Sequence, residues 1–136
     1  MKFAGYAALF DRADRAGDVM RAGAFAGAGA VPLLWQHRGH AVGRITALAE
    51  DARGLRVEGE VDDPQVAALV AGRGLDGLSV GYRPLAVRQG ARRELLRVAL
   101  AEVSLVAVPM QPGARIDTID RGPADAGTQD PERRPA

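Results

Sequence analysis

The 136-residue chain contains no cysteine. That absence removes disulfides, thiolate metal sites and a cysteine nucleophile together. It fits a reducing compartment without requiring one. Lysine is almost missing: Lys2 stands alone, and arginine supplies the rest of the 18 basic residues. We read this as compositional bias, not as provision for binding phosphate. The 17 acidic residues leave a net charge of +1, so no global attraction to nucleic acid or to an anionic membrane is expected. No apolar stretch approaches the roughly 20 residues that span a bilayer. Met1–Phe10 lacks the basic region and long apolar run of a signal peptide. The soluble interior of a cell is the expected location.

Known ligand-binding patterns are missing too. There is no Gly-x-x-x-x-Gly-Lys phosphate loop and no His-Glu-x-x-His zinc helix. The only histidines are His37 and His40, and two ligands do not make a metal site. No cofactor and no metal are expected. The short basic pairs Arg92-Arg93 and Arg133-Arg134 read as solvated turn and tail.

What is present suffices for one domain. The composition is 47% hydrophobic and 26% charged, which permits a single core. Phe3–Phe10, Val31–Gln36, Ala41–Ala49 and Leu55–Val61 read as strands, the last two as a hairpin across Glu50–Gly54. In Leu55–Val61 the apolar residues alternate with Arg56, Glu58 and Glu60, the cleanest period-two pattern in the chain. Ala22–Ala30, small and studded with glycine, reads as a short, weak helix. Asp63-Pro64 opens a second helix to about Val70, with Asp63 as N-cap and Val66, Leu69 and Val70 as its apolar side. Gly77–Tyr82, Leu85–Arg88, Arg93–Leu100 and Glu102–Val108 read as four further strands. Residues 117–136 hold almost no large apolar residue and are expected to form a disordered polar tail after a domain of residues 1–116. The sum is a mainly β fold with peripheral helices, an antiparallel barrel or sandwich.

Few residues suggest chemistry. His37 falls at the end of an apolar strand, where a side chain is both held and reachable. Its ordinary alternative is to cap the core with Trp35. Ser79 sits in Gly77-Leu78-Ser79-Val80-Gly81, and glycines let another backbone approach closely. The spacing resembles the nucleophile elbow, but that motif needs a strand-to-helix turn and here a strand follows. Glu102, opening an apolar strand, could orient a histidine; a solvated strand-end charge is the commoner role. Ser104 is the rival nucleophile, without flanking glycines.

At this point a resemblance enters. Gly5–Phe10, Gly17–Phe25, Pro32–His37, Val42–Ile45, Asp76–Tyr82, and Glu102–Val106 with Pro109 and Pro112–Arg115 form six blocks in the order found in the prohead proteases of tailed bacteriophages. The resemblance covers about Phe3 to Ile116. It implies a closed antiparallel β-barrel similar to the herpesvirus assemblin proteases. It implies a serine endopeptidase that cleaves the amino-terminal scaffold-like segment of the major capsid protein, and then itself, inside the assembling procapsid. Portal and other procapsid proteins are further partners it suggests, and a homodimer is compatible with it. By motif, His37 is the general base and Ser79 the nucleophile. Glu102 is the third member, with His40 as the alternative. Gly113, Ala114 and Arg115 are the candidate oxyanion and substrate-binding loop. The chain is shorter than typical members, as a compact relative from a phage-derived gene transfer agent would be. A catalytically silent capsid-assembly module with the same barrel, or a small β-barrel ligand carrier, is the reading from another class.

Overall fold

The computed structural model describes residues 1–120. It is mainly β, with one short helix. The strands are β1 (Lys2–Leu9), β2 (Val19–Met20), β3 (Pro32–Trp35), β4 (Arg38–Glu50), β5 (Gly54–Val61), β6 (Gly77–Gln89), β7 (Arg93–Val106) and β8 (Ile116–Asp120), and α1 (Pro64–Ala71) lies between β5 and β6. All eight strands belong to one sheet, ordered β2-β7-β3-β4-β5-β1-β8, with β6 on β7 as well. The sheet is not closed into the expected barrel. Its ends meet only locally, where the Leu78 N–H donates to the Ala114 carbonyl at 2.8 Å and the Ile116 N–H to Asp76 at 2.9 Å. These two bonds make a single isolated bridge, Gly77 to Arg115, instead of a ladder.

The alternation in β5 does what its period requires. Leu55, Val57 and Val61 are buried while Glu58 on the other face is exposed. Gly59 keeps the same inner face open for the Phe3 ring, which would lie 2.6 Å from a Cβ at that position. The core continues through Leu33, Ile45, Leu78, Leu95, Val103 and Leu105. Helix α1 starts where expected: the Asp63 carboxylate accepts from the Gln65 and Val66 N–H groups at 2.9 and 3.1 Å, and Pro64 occupies the first turn. It buries Val66 and Val70 but leaves Leu69 exposed.

Several sequence-based expectations need correction. Ala22–Ala30 is a run of tight turns, not a helix, with Ala24, Ala26 and Ala28 each bonded three residues back. Gly23 and Gly27 take positive φ, and the Glu50 carboxylate accepts from the Gly23 and Phe25 N–H groups at 2.8 Å each. Gly77–Tyr82 and Leu85–Arg88 are one strand, β6. Pro84 is accommodated inside it because β7 is the only strand beside β6 there and the pairing register shifts between Pro84 and Ala86. Arg93–Leu100 and Glu102–Val108 likewise merge into β7, which puts Glu102 in the strand interior and not at its entrance. Asp117–Asp120 belong to β8, paired antiparallel with β1 from Lys2 to Gly5. Asp117 is held there by Arg56, whose guanidinium donates to it and keeps its carboxyl below the usual range. The rest of the expected tail, 121–136, lies outside the described residues.

Candidate active site

The site forms where the β3–β4 turn folds over the middle of β6 and β7. Trp35 pairs with Arg38, so the hairpin loop is the two residues Gln36 and His37. Both have positive φ, 54° and 61°. This is what a type I′ turn demands, and Asn-Gly is its usual sequence. A side chain in that region costs about 1–2 kcal/mol per residue, so the surroundings must hold it there. They do so from β7: the Gln36 N–H donates to the Leu105 carbonyl at 2.9 Å, the Gln36 side-chain oxygen accepts from the Ala107 N–H at 3.3 Å, and the His37 N–H donates to Ser104 Oγ at 3.0 Å.

The pairing of β6 with β7 sets the floor. Ser79 lies opposite Ser104, and Gly81 opposite Glu102. Side chains two apart on a strand share a face. Ser79, Gly81, Glu102 and Ser104 therefore form one patch, with Leu34 of β3 alongside Ser104. The Glu102 carboxylate fills the space above Gly81, where a Cβ would lie 2.0 Å from Oε2. One carboxylate oxygen contacts His37 Nδ1 at 2.6 Å, and the other accepts from Ser104 Oγ at 2.7 Å. A carboxylate only accepts, so Nδ1 carries the hydrogen and Nε2 is left as the basic nitrogen.

Ser79 is 7% exposed. It lines, together with His37, an apolar cavity of about 280 Å³ walled by Met20, Leu78, Tyr82 and Leu95. The same two residues also line a more open hollow of about 560 Å³ with Arg15, Val108 and Met110. Burial pushes the Tyr82 hydroxyl up from its ordinary value, with Asp14 and Asp18 adding to the effect. Asp18 itself is held low by its ion pair with Arg93.

The structure thus gathers His37, Ser79 and Glu102 around one corner. His40 lies on β4, exposed, while Glu102 occupies Nδ1 of His37. Ser104, the rival nucleophile, is fully buried and its hydroxyl hydrogen goes to Glu102. Gly113, Ala114 and Arg115 line neither hollow. Ala114 gives its N–H to Gln111, and the Arg115 guanidinium binds Asp76 and the Pro112 carbonyl. Sequence reasoning missed Arg15 and Gln36. It also gave Gly81 the part of admitting another backbone, whereas the glycine makes room for the Glu102 carboxylate. No cluster of metal-ligating side chains occurs among the described residues.

Comparison with known proteins bears on the fold and the family. No curated protein is significantly similar in sequence. The structure of varicella-zoster virus protease matches with a TM-score of 0.54 at 19% identity, over 85% of this chain. The chain spans 62% of that protein's length. At this identity the match speaks for the fold alone. Residues 1–127 match the family of caudovirus prohead serine proteases. With that match covering nearly the whole sequence, the chain belongs to the caudovirus prohead serine protease family.

Proposed function

We propose that the chain is a serine endopeptidase of procapsid maturation, acting through an acyl-enzyme. The observation that carries the reading is the 2.6 Å contact between His37 Nδ1 and Glu102, on a histidine that shares both hollows with Ser79. Glu102 fixes the tautomer and stabilises the imidazolium that forms when His37 takes up a proton. His37 Nε2 takes the proton of Ser79 as its oxygen attacks the scissile carbonyl. The tetrahedral intermediate collapses when His37 returns the proton to the leaving amine. Water then enters and gives a proton to His37 as its oxygen bonds the acyl carbon; the acyl–Ser79 bond breaks, His37 returns the proton to Ser79 Oγ, and the product leaves as a carboxylic acid. Arg15, on the rim of the open hollow, adds positive charge beside the reacting centre.

The substrate in this reading is the amino-terminal, scaffold-like segment of the major capsid protein, cleaved inside the assembling procapsid, with self-cleavage afterwards. Family membership supports it. The test is co-expression with the capsid protein of the same particle, followed by mass spectrometry of the capsid amino terminus. The wild-type chain is expected to leave a trimmed capsid protein. Ser79→Ala is expected to stay folded and leave it intact. Trimming by Ser79→Ala discards the assignment. An intact amino terminus with the wild type would instead favour a silent assembly module.

A further inference from the structure

We infer that Ser104 is a positioning residue for the His37–Glu102 pair; the inference rests on the protease reading above. Ser104 is fully buried in the stretch Val103–Val106, which is otherwise apolar. A hydroxyl there needs partners, and it has two. It donates to Glu102 Oε1 at 2.7 Å and accepts from the His37 N–H at 3.0 Å. The remaining side of the circuit is the contact from Glu102 Oε2 to His37 Nδ1 at 2.6 Å. His37 is therefore gripped twice, once by its backbone and once by its ring, and both grips run through the same serine.

This arrangement does something that packing alone does not. Clamping Oε1 fixes the rotation of the carboxylate, so that Oε2 faces the imidazole. Clamping the His37 N–H ties the left-handed turn to the strand that carries Glu102. The turn has other supports, since Gln36 is bonded to Leu105 and Ala107. The turn thus keeps its place without Ser104, and what the hydroxyl adds is the coupling between the histidine and its carboxylate. Ser104 also stands directly across the strand pair from Ser79, so a shift in this circuit is felt at the nucleophile.

The experiment measures how fast a fluorophosphonate probe labels Ser79 in the full chain, by intact-protein mass spectrometry, alongside thermal melting. Ser104→Ala is expected to slow labelling about 10- to 100-fold, the size of one hydrogen bond to a charged group. Ser104→Thr, which keeps the hydroxyl, is expected to restore the rate to within about 3-fold of wild type, a rescue that a purely structural role has no reason to give. Peptide hydrolysis by Ser104→Ala should show the loss in kcat with KM little changed. Labelling of Ser104→Ala at the wild-type rate overturns the role of Ser104 and leaves the protease reading standing. A wild-type chain that is never labelled overturns both. Should Ser104→Ala not fold, Ser104→Cys fills the same space with a weak donor, and the same comparison decides.

Discussion

Two glutamates on one strand show how the same side chain serves different ends. Glu94, near the start of β7, accepts from Arg21 at 2.8 Å and from Arg88 at 2.6 and 3.2 Å. These guanidiniums hold its carboxyl down at about 2. Glu102, further along the strand, accepts from Ser104 and from the His37 ring. Arginine never gives up its charge, so Glu94 is compensated permanently and has no further proton transfer to favour. The partner of Glu102 can be neutral or charged. In the proposed mechanism its carboxylate stabilises the cation formed when His37 takes up a proton. The first is an anchor for β2 and the β6–β7 hairpin; the second, in the proposed mechanism, serves the reaction.

The sharpest way to break this contrast is to make the same substitution at both positions. Glu102→Gln is expected to cut peptide hydrolysis by about 10⁴-fold, the scale of losing the acid member of such a triad. The fold should survive, because the amide fills the same space. Glu94→Gln should change turnover by no more than about 2-fold. Steady-state kinetics on one peptide substrate would check both. Equal losses at the two positions, or none at Glu102, would erase the distinction.

A second pair of substitutions tests the same contrast through glycine. An added Cβ at Gly81 meets Glu102 Oε2 at 2.0 Å, so the carboxylate must swing away from His37. At Gly90 the nearest atom is Glu94 Oε2 at 3.7 Å, an ordinary contact. Gly81→Ala should therefore cost about 10²-fold in kcat, the price of a misplaced catalytic group. Gly90→Ala should be silent. Normal kcat in Gly81→Ala would mean that the carboxylate does not need its present position.

How much of this could be read from the sequence depends on the range of the interaction. Local signals were legible: the alternation in Leu55–Val61, and the Asp63-Pro64 helix start with its own capping bonds. His37, Ser79 and Glu102 could be singled out, because a serine between two glycines and a carboxylate in an apolar stretch are conspicuous choices. Cross-strand information was not legible. That Gly81 exists for Glu102, and that Ser104 faces Ser79, follows from the β6–β7 register, which a single chain does not display. The left-handed Gln36–His37 turn was hidden because its sequence lacks the Asn-Gly signal and its support comes from β7. Asp117–Asp120 looked like tail by composition. They became a strand because β1 supplies a paired edge and Arg56 neutralises Asp117.

The smallest effect expected concerns acid stability at the start of β7. The folded chain holds the Glu94 carboxyl at about 2 against an ordinary 4.5, through hydrogen bonds from Arg88 and Arg21. Arg93 holds Asp18 low in the same sense. A carboxyl depressed by folding contributes stability that is complete above its unfolded value and lost as pH falls through the folded one. The melting temperature should then stay level above pH 4.5 and decline between 4.5 and 2 on account of Glu94. Glu94→Gln has no proton to bind there, so its melting curve should decline less steeply over the same interval. Because these ion pairs are near the surface, added salt should shrink the difference between the two chains. Parallel slopes at low salt would mean that Arg21 and Arg88 do not hold Glu94 as tightly in solution as their geometry implies.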